Sequence, residues 1–122
     1  MENLKVVIVG GGPIGLACAL ACKNANLDYV VIEKGCLVNS LYNYPTNMTF
    51  FSTSERLEIG NIPFVSNASK PSRAEALEYY RRVASSQNLK INLFETVTEI
   101  AKDNDYYRVF TDKNKYLTKN II

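Results

Sequence analysis

Leu4-Lys5-Val6-Val7-Ile8-Val9-Gly10-Gly11-Gly12-Pro13-Ile14-Gly15 is the stretch that decides the fold. Its first six residues form a β-branched run that stops on glycine. That is the pattern of a strand buried on both faces, hence parallel and central in its sheet. Gly10 to Gly12 read as a turn. Pro13 suits the first position of a helix, where a missing N–H costs nothing. Ile14 to Ala25 is rich in alanine and leucine and reads as that helix, with Asn26 able to adopt the left-handed conformation that ends it. Tyr29 to Ile32 is a second buried strand, closed by Glu33. The first 33 residues therefore spell strand, helix, strand, a unit whose crossover is right-handed and whose strands are parallel.

Each glycine of Gly10-x-Gly12-x-x-Gly15 has a task in such a unit. Gly10 makes the tight turn, Gly12 lets the backbone approach a pyrophosphate, and Gly15 lets helix lie close on strand. The helix N-terminus offers free N–H groups and partial positive charge to phosphates. Glu33 follows Gly10 by 23 residues, at the end of the second strand. There its carboxylate can accept both hydroxyl protons of an adenosine ribose, and would repel a 2′-phosphate. Strand, helix, second strand and acid are in register, so the sequence points to an adenine dinucleotide.

Working outward, Gly35 to Val65 has no sustained period and is rich in Asn, Ser, Thr, Tyr and Phe. At about 30 residues it far exceeds an ordinary connection. Its aromatics, Tyr42, Tyr44, Phe50, Phe51 and Phe64, argue for an ordered excursion, with a helical turn near Ser54 to Leu57. Ser72-Arg73-Ala74-Glu75 is a capping box that opens a helix running to about Gln87, with Leu77, Tyr80, Val83 and Ala84 as its inner stripe. Ile91 to Phe94 reads as a third parallel strand. Thr96 to Lys102, Tyr106 to Thr111 and Lys115 to Thr118 read as an antiparallel meander, with turns at Asp103-Asn104-Asp105 and Asp112-Lys113-Asn114. Asn120-Ile121-Ile122 reads as the start of a further apolar strand, placed beside the first one. The expectation is an N-terminal part of a longer protein.

Composition narrows the chemistry. The chain has 122 residues, 47% of them hydrophobic and 21% charged, an ordinary globular balance. Fourteen basic and twelve acidic residues leave a net charge of +2, too small and too evenly spread for a nucleic-acid footprint. The absence of histidine excludes Ser-His-Asp and Cys-His nucleophiles and His-ligated metals within this chain, and no metal site is expected. Cys18, Cys22 and Cys36 form no CxxC pair, and their number points to a reducing, cytoplasmic setting. Cys18 and Cys22 read as small residues packed under a helix, and Cys36 as a bystander. Three consecutive glycines and Pro13 interrupt the apolar stretch 6–22, which excludes a signal peptide or membrane span there. Lys70, Arg73, Arg81 and Arg82 read as a solvated helix face rather than an anion site.

Nicotinamide dehydrogenases share the glycine motif, but the long aromatic excursion and the late meander differ from their usual layout. The chain resembles the FAD domain of the flavoproteins with two dinucleotide-binding domains, the thioredoxin- and glutathione-reductase group. Within it, Val9-Gly10-Gly11-Gly12-Pro13, Ile32-Glu33-Lys34-Gly35, Val38-Asn39-Ser40, Tyr42-Asn43-Tyr44-Pro45-Thr46 and Thr49-Phe50-Phe51-Ser52-Thr53-Ser54-Glu55 are similar to the bacillithiol-disulfide reductase (YpdA-type) family. Leu57-Glu58-Ile59-Gly60, Pro63-Phe64 and Lys70-Pro71-x-Arg73 continue the similarity along nearly the whole chain.

The resemblance implies an α/β, Rossmann-like three-layer fold for FAD/NAD(P), with a parallel sheet and an added antiparallel β-meander that covers it. Residues 1–122 would be the N-terminal part of an FAD-binding domain. It implies an enzyme that takes electrons from NADPH, as co-substrate at a domain outside this chain, through FAD to a small-molecule disulfide or another acceptor. The full-length protein would form a homo-oligomer and engage neither nucleic acid nor membrane. Carried onto matching positions, Gly10, Gly12, Pro13 and Gly15 cradle the pyrophosphate, with Ile14 in the same segment. Glu33 holds the adenosine ribose with Lys34 beside it. Asn39 and Ser40 lie near the phosphates or ribityl chain, and Tyr44, Pro45 and Thr46 approach the flavin. Val97 holds adenine through its backbone. None of these residues breaks bonds. Family members proposed to act through a thiol carry cysteine where this chain has Ile14, and isoleucine cannot serve as a nucleophile. The acceptor therefore stays open among disulfides, quinones, ferredoxin-like proteins and oxygen. A flavoprotein monooxygenase and a non-enzymatic dinucleotide-binding module remain as alternatives.

Overall fold

The computed structural model describes residues 1–122. The chain runs β1 (Glu2–Val9), α1 (Pro13–Asn24), β2 (Tyr29–Ile32), α2 (Asn39–Tyr42), α3 (Ser54–Leu57), α4 (Arg73–Ser86), β3 (Ile91–Asn92), β4 (Val97–Asp103), β5 (Tyr106–Thr111) and β6 (Lys115–Ile121). All six strands join one sheet in the order β3-β2-β1-β6-β5-β4. β1 pairs in parallel with β2 and β6, and β2 with β3. The β4-β5-β6 meander is antiparallel. Both crossovers, β1-α1-β2 and β2-α4-β3, step the same way across the sheet. Right-handed connections then place α1 and α4 on one face.

Period-2 alternation divides the buried side chains. Val6, Ile8, Tyr29 and Val31 face α1 and pack on Ala19 and Cys22. Val7, Val30 and Ile32 face the other way and pack on Val109 and Tyr116 of the meander. The meander is thus bonded into the sheet through β6 and curls over its second face. A third cluster sits outside the sheet, where Leu16 and Leu20 of α1 meet Ala76, Leu77, Tyr79, Tyr80 and Val83 of α4, and Val38, Leu41 and Phe64 of the excursion.

Several elements differ from expectation. The third parallel strand is only two residues long, because Phe94 turns the chain with φ +54°. The meander's last strand and the apolar strand expected beside β1 are one strand, β6. It pairs with β5 along Lys115–Thr118 and with β1 as far as Ile121, so a single strand joins both halves of the sheet. The turn at Ser54–Leu57 is present, but α2 was not foreseen. The Ser72–Glu75 capping box is fully formed, with Ser72 Oγ accepting the Glu75 N–H and Glu75 Oε1 accepting the Ser72 N–H. The Ser72 and Asn67 backbone N–H groups, which both donate to the Glu75 carboxylate, hold it below its usual range.

Two tyrosines side by side on α4 fix the excursion. Tyr79 accepts from the Ile59 N–H (2.9 Å) and donates to the Ile62 carbonyl (2.6 Å). Tyr80 donates to the Leu57 carbonyl (2.7 Å). Phe64 stacks on Tyr79 with ring centroids 4.4 Å apart. Burial pushes the Tyr79 phenol up, and pushes Tyr80 up to about 12 with the Tyr79 hydroxyl adding to the effect.

Candidate functional site

The site lies at the carboxyl ends of β1 and β2. Gly10 takes φ +107°, a conformation closed to L side chains, and its N–H donates to the Ile32 carbonyl (2.8 Å). The tight turn is therefore enforced. A Cβ on Gly15 would land on the Gly10 carbonyl oxygen, so helix α1 can start here only if residue 15 has no side chain. Gly12 is different. It is the helix N-cap with ordinary extended backbone, and a Cβ there would meet nothing within 4 Å. Space beside Gly12 is open, and no intramolecular contact demands glycine.

Glu33 is buried, and each of its oxygens accepts a backbone N–H at 2.7 Å, Oε1 from Gly11 and Oε2 from Gly35. The acid thus ties the glycine turn to the loop after β2. A carboxylate offers about four lone-pair positions, so each oxygen keeps one for an outside donor. The Gly11 carbonyl in turn accepts the Val38 N–H (3.0 Å), which docks the start of α2 on the same turn.

Two hollows meet at Val9 and Gly10. One, about 220 Å³, is lined by Val9, Gly10, Ile32, Glu33, Lys34, Glu95, Thr96 and Val97. The other, about 350 Å³, runs along Gly12, Pro13, Ile14, Gly15 and Cys18 to Ile122. Together they form one groove across the sheet's end, with Glu33 at one side and the N-terminus of α1 beneath. This is the crevice where open α/β sheets bind ligands. A larger hollow of about 470 Å³ flanks the other side of α1, between Ile14, Cys18 and Ala21 and the segment Arg56–Ile59.

The groove brings together Gly10, Gly12, Pro13, Ile14, Gly15, Glu33, Lys34 and Val97. It does not gather the rest. Asn39 sits inside α2, where its Oδ1 accepts from Cys36 Sγ (3.3 Å), and Ser40 is exposed beside it. Tyr44 and Thr46 are exposed, and the Tyr44 ring lies 6.2 Å from Phe50. Ile14 is 80% exposed, and Cys18 one turn later lines both hollows beside α1. Cys22 is buried as expected, and burial, with Cys18 nearby, pushes its thiol up. Arg73 reaches back to the Leu41 and Tyr42 carbonyls, and Arg82 pairs with Glu78.

Glu95 is a site residue that sequence reasoning missed. It falls between the two segments expected as strands, Ile91 to Phe94 and Thr96 to Lys102. It is buried, its N–H donates to the Glu33 carbonyl (3.0 Å), and its Oε2 accepts from Tyr116 Oη (2.7 Å) and Thr111 Oγ1 (2.8 Å). Asn92 Nδ2 donates to the same Tyr116 oxygen (3.0 Å). Burial and the Glu95 carboxylate push Tyr116 up to about 12. A buried acid beside a ligand groove has no one-dimensional signature.

The family model described as pyridine nucleotide-disulphide oxidoreductase matches residues 7–122. The chain belongs to this family. It is 48% identical over 119 residues to the bacilliredoxin reductase Bdr of Bacillus subtilis strain 168, covering 97% of this chain and 37% of that protein. Among solved structures it is similar to the bacillithiol disulfide reductase Bdr (YpdA) from Staphylococcus aureus, with TM-score 0.95, 44% identity, and coverage of 99% of this chain and 38% of the other. The corresponding protein from Bacillus cereus matches with TM-score 0.95 and 43% identity, over 98% of this chain and 39% of the other. A flavin-containing monooxygenase from Stenotrophomonas maltophilia, 22% identical with TM-score 0.93, shares the fold. The chain spans little more than a third of the length of the reductases it matches. No helix is long and apolar enough to cross a membrane.

Proposed function

We propose that this chain is the FAD-binding portion of an NADPH-dependent flavoprotein oxidoreductase of the thioredoxin/bacillithiol-disulfide reductase type. The observation that carries the reading is the groove from Gly12 to Glu33, found in a chain 48% identical to a bacilliredoxin reductase over 97% of its length. Residues 1–122 are the N-terminal part of the FAD domain, in keeping with the share of the relatives they span.

The residues present fit that group. The open space at Gly12 and the free N–H groups of α1 suit a pyrophosphate beside Gly10, Pro13, Ile14 and Gly15. Glu33 offers its remaining lone pairs to ribose hydroxyls, with Lys34 at the rim, and the Val97 backbone borders the base. Asn39 and Ser40 serve the phosphates or ribityl chain, and Tyr44 and Thr46 the flavin side. Bound FAD supplies the two-electron chemistry, and the protein's part is to hold and orient it. NADPH is the electron donor and a small-molecule disulfide the acceptor. The protein works as a cytoplasmic homo-oligomer.

The test is made on the product of the complete reading frame. Its visible spectrum is recorded, NADPH is added without oxygen, and bacillithiol disulfide follows. Flavin bands that bleach with NADPH and return with the disulfide support the reading. A colourless protein sinks it, and a flavin that returns only with oxygen and an organic substrate makes it a monooxygenase.

A further inference from the structure

We propose that Glu95 reads the base of the adenosine, accepting a hydrogen bond from the 6-amino group of adenine through its free oxygen, Oε1. The inference rests on the FAD reading above and names a contact within it. Glu95 is 3% exposed. Oε2 accepts two hydroxyl donors, from Thr111 and Tyr116, whereas Oε1 has no partner in the protein. No side-chain oxygen or nitrogen of the molecule is both sealed from solvent and unpartnered. The small exposed part of Glu95 therefore includes Oε1, and the space Glu95 borders is the hollow shared with Glu33 and Val97.

The two acids act on opposite walls. Their backbones adjoin, since the Glu95 N–H donates to the Glu33 carbonyl. Glu33 turns its carboxylate to the glycine turn, and Glu95 turns its own to the meander. With ribose on Glu33, the base falls on the meander wall, where a carboxylate oxygen can only accept. Adenine offers a donor there in its 6-amino group. Thr111 and Tyr116 hold the carboxylate through Oε2, so the position of Oε1 is set before the ligand arrives. A purine that lacks the amino group would leave that oxygen buried against an apolar C–H, the arrangement that costs a binding site most.

The experiment compares FAD with an analogue carrying unsubstituted purine in place of adenine. Both are titrated by flavin fluorescence into apoprotein made from the complete reading frame. Wild type is expected to prefer FAD by about tenfold or more, the effect of one hydrogen bond to a carboxylate. Glu95→Gln keeps an oxygen for Thr111 and Tyr116 and turns its NH2 to the pocket, so the preference collapses to near unity. Tyr116→Phe weakens the fold yet leaves Oε1 in place, so the preference survives. Equal binding of the two dinucleotides by wild type overturns the inference whether or not the variants fold. So does an unchanged preference in Glu95→Gln. Failure of wild type to bind either dinucleotide removes the FAD reading itself, a result distinct from equal binding.

Discussion

Replacing Glu33 by glutamine keeps the shape of the side chain and halves its capacity to accept. In the native protein two backbone N–H groups, those of Gly11 and Gly35, each sit 2.7 Å from one carboxylate oxygen. Glutamine can serve one of them, and its NH2 must face the other. A hydrogen bond to a charged acceptor contributes about 1.5–3 kcal/mol, and a buried donor left without a partner costs about 1–3 kcal/mol. These contributions overlap, and the net loss expected is about 3 kcal/mol. For a urea slope of about 1–3 kcal/mol/M, that moves the unfolding midpoint down by about 1–3 M. The assay is urea unfolding followed by circular dichroism, without added flavin, so that ligand binding cannot mask the effect. A midpoint within about 0.2 M of wild type would refute the reasoning. It would mean that the turn is held by Gly10 and Gly15 alone and that Glu33 has no structural part.

Two glycines separate folding from binding. Gly15→Ala places a methyl on the Gly10 carbonyl oxygen, so thermal unfolding should show a loss of about 1–3 kcal/mol or more. Gly12→Ala meets no protein atom, so stability should change by less than about 1 kcal/mol while FAD affinity falls tenfold or more; unchanged affinity in a titration would place the pyrophosphate elsewhere. Tyr79→Phe frees the Ile59 N–H and Ile62 carbonyl, and limited proteolysis should then cut the excursion near residues 59–62 faster. Tyr80 and Tyr116 are both raised to about 12, above the value of about 10 in an unfolded chain. The unfolded state therefore releases these protons first. Their contribution is full below about pH 10 and is lost as pH rises from about 10 to 12, so stability should decline over that window. Tyr80→Phe should flatten the decline in a pH series of urea midpoints.

The first 33 residues were legible because local chemistry and tertiary role agree. A β-branched run must be buried, Gly10 must turn, and Pro13 must open a helix. The capping box at Ser72 was legible for the same reason. What escaped was set by contacts distant in sequence. α2 starts from Val38 at φ +48°, which a β-branched residue adopts only because it is fully buried and its N–H is bonded to Gly11. Tyr79 widens the inner stripe of α4 because the excursion covers it, Phe64 stacking on its ring and its hydroxyl bonding to Ile59 and Ile62. Strand β6 was divided at Lys119, an exposed position in a strand that has different neighbours along its length. Within the site, the glycines and Glu33 follow a spacing that chemistry imposes. Glu95 depends on Tyr116 and Thr111, partners 21 and 16 residues away, and no local pattern marks it.

The central claim, that the groove between Gly12 and Glu33 holds the adenosine diphosphate half of FAD, is tested most directly by comparing FAD with FMN. FMN carries the same flavin without the adenosine. Calorimetric titration of the apoprotein from the complete reading frame should show FAD bound tightly and FMN bound at least a hundredfold more weakly, with Gly12→Ala narrowing that gap by about tenfold or more. Equal affinity for the two flavins in wild type would contradict the account, because the groove would then contribute nothing to holding the cofactor.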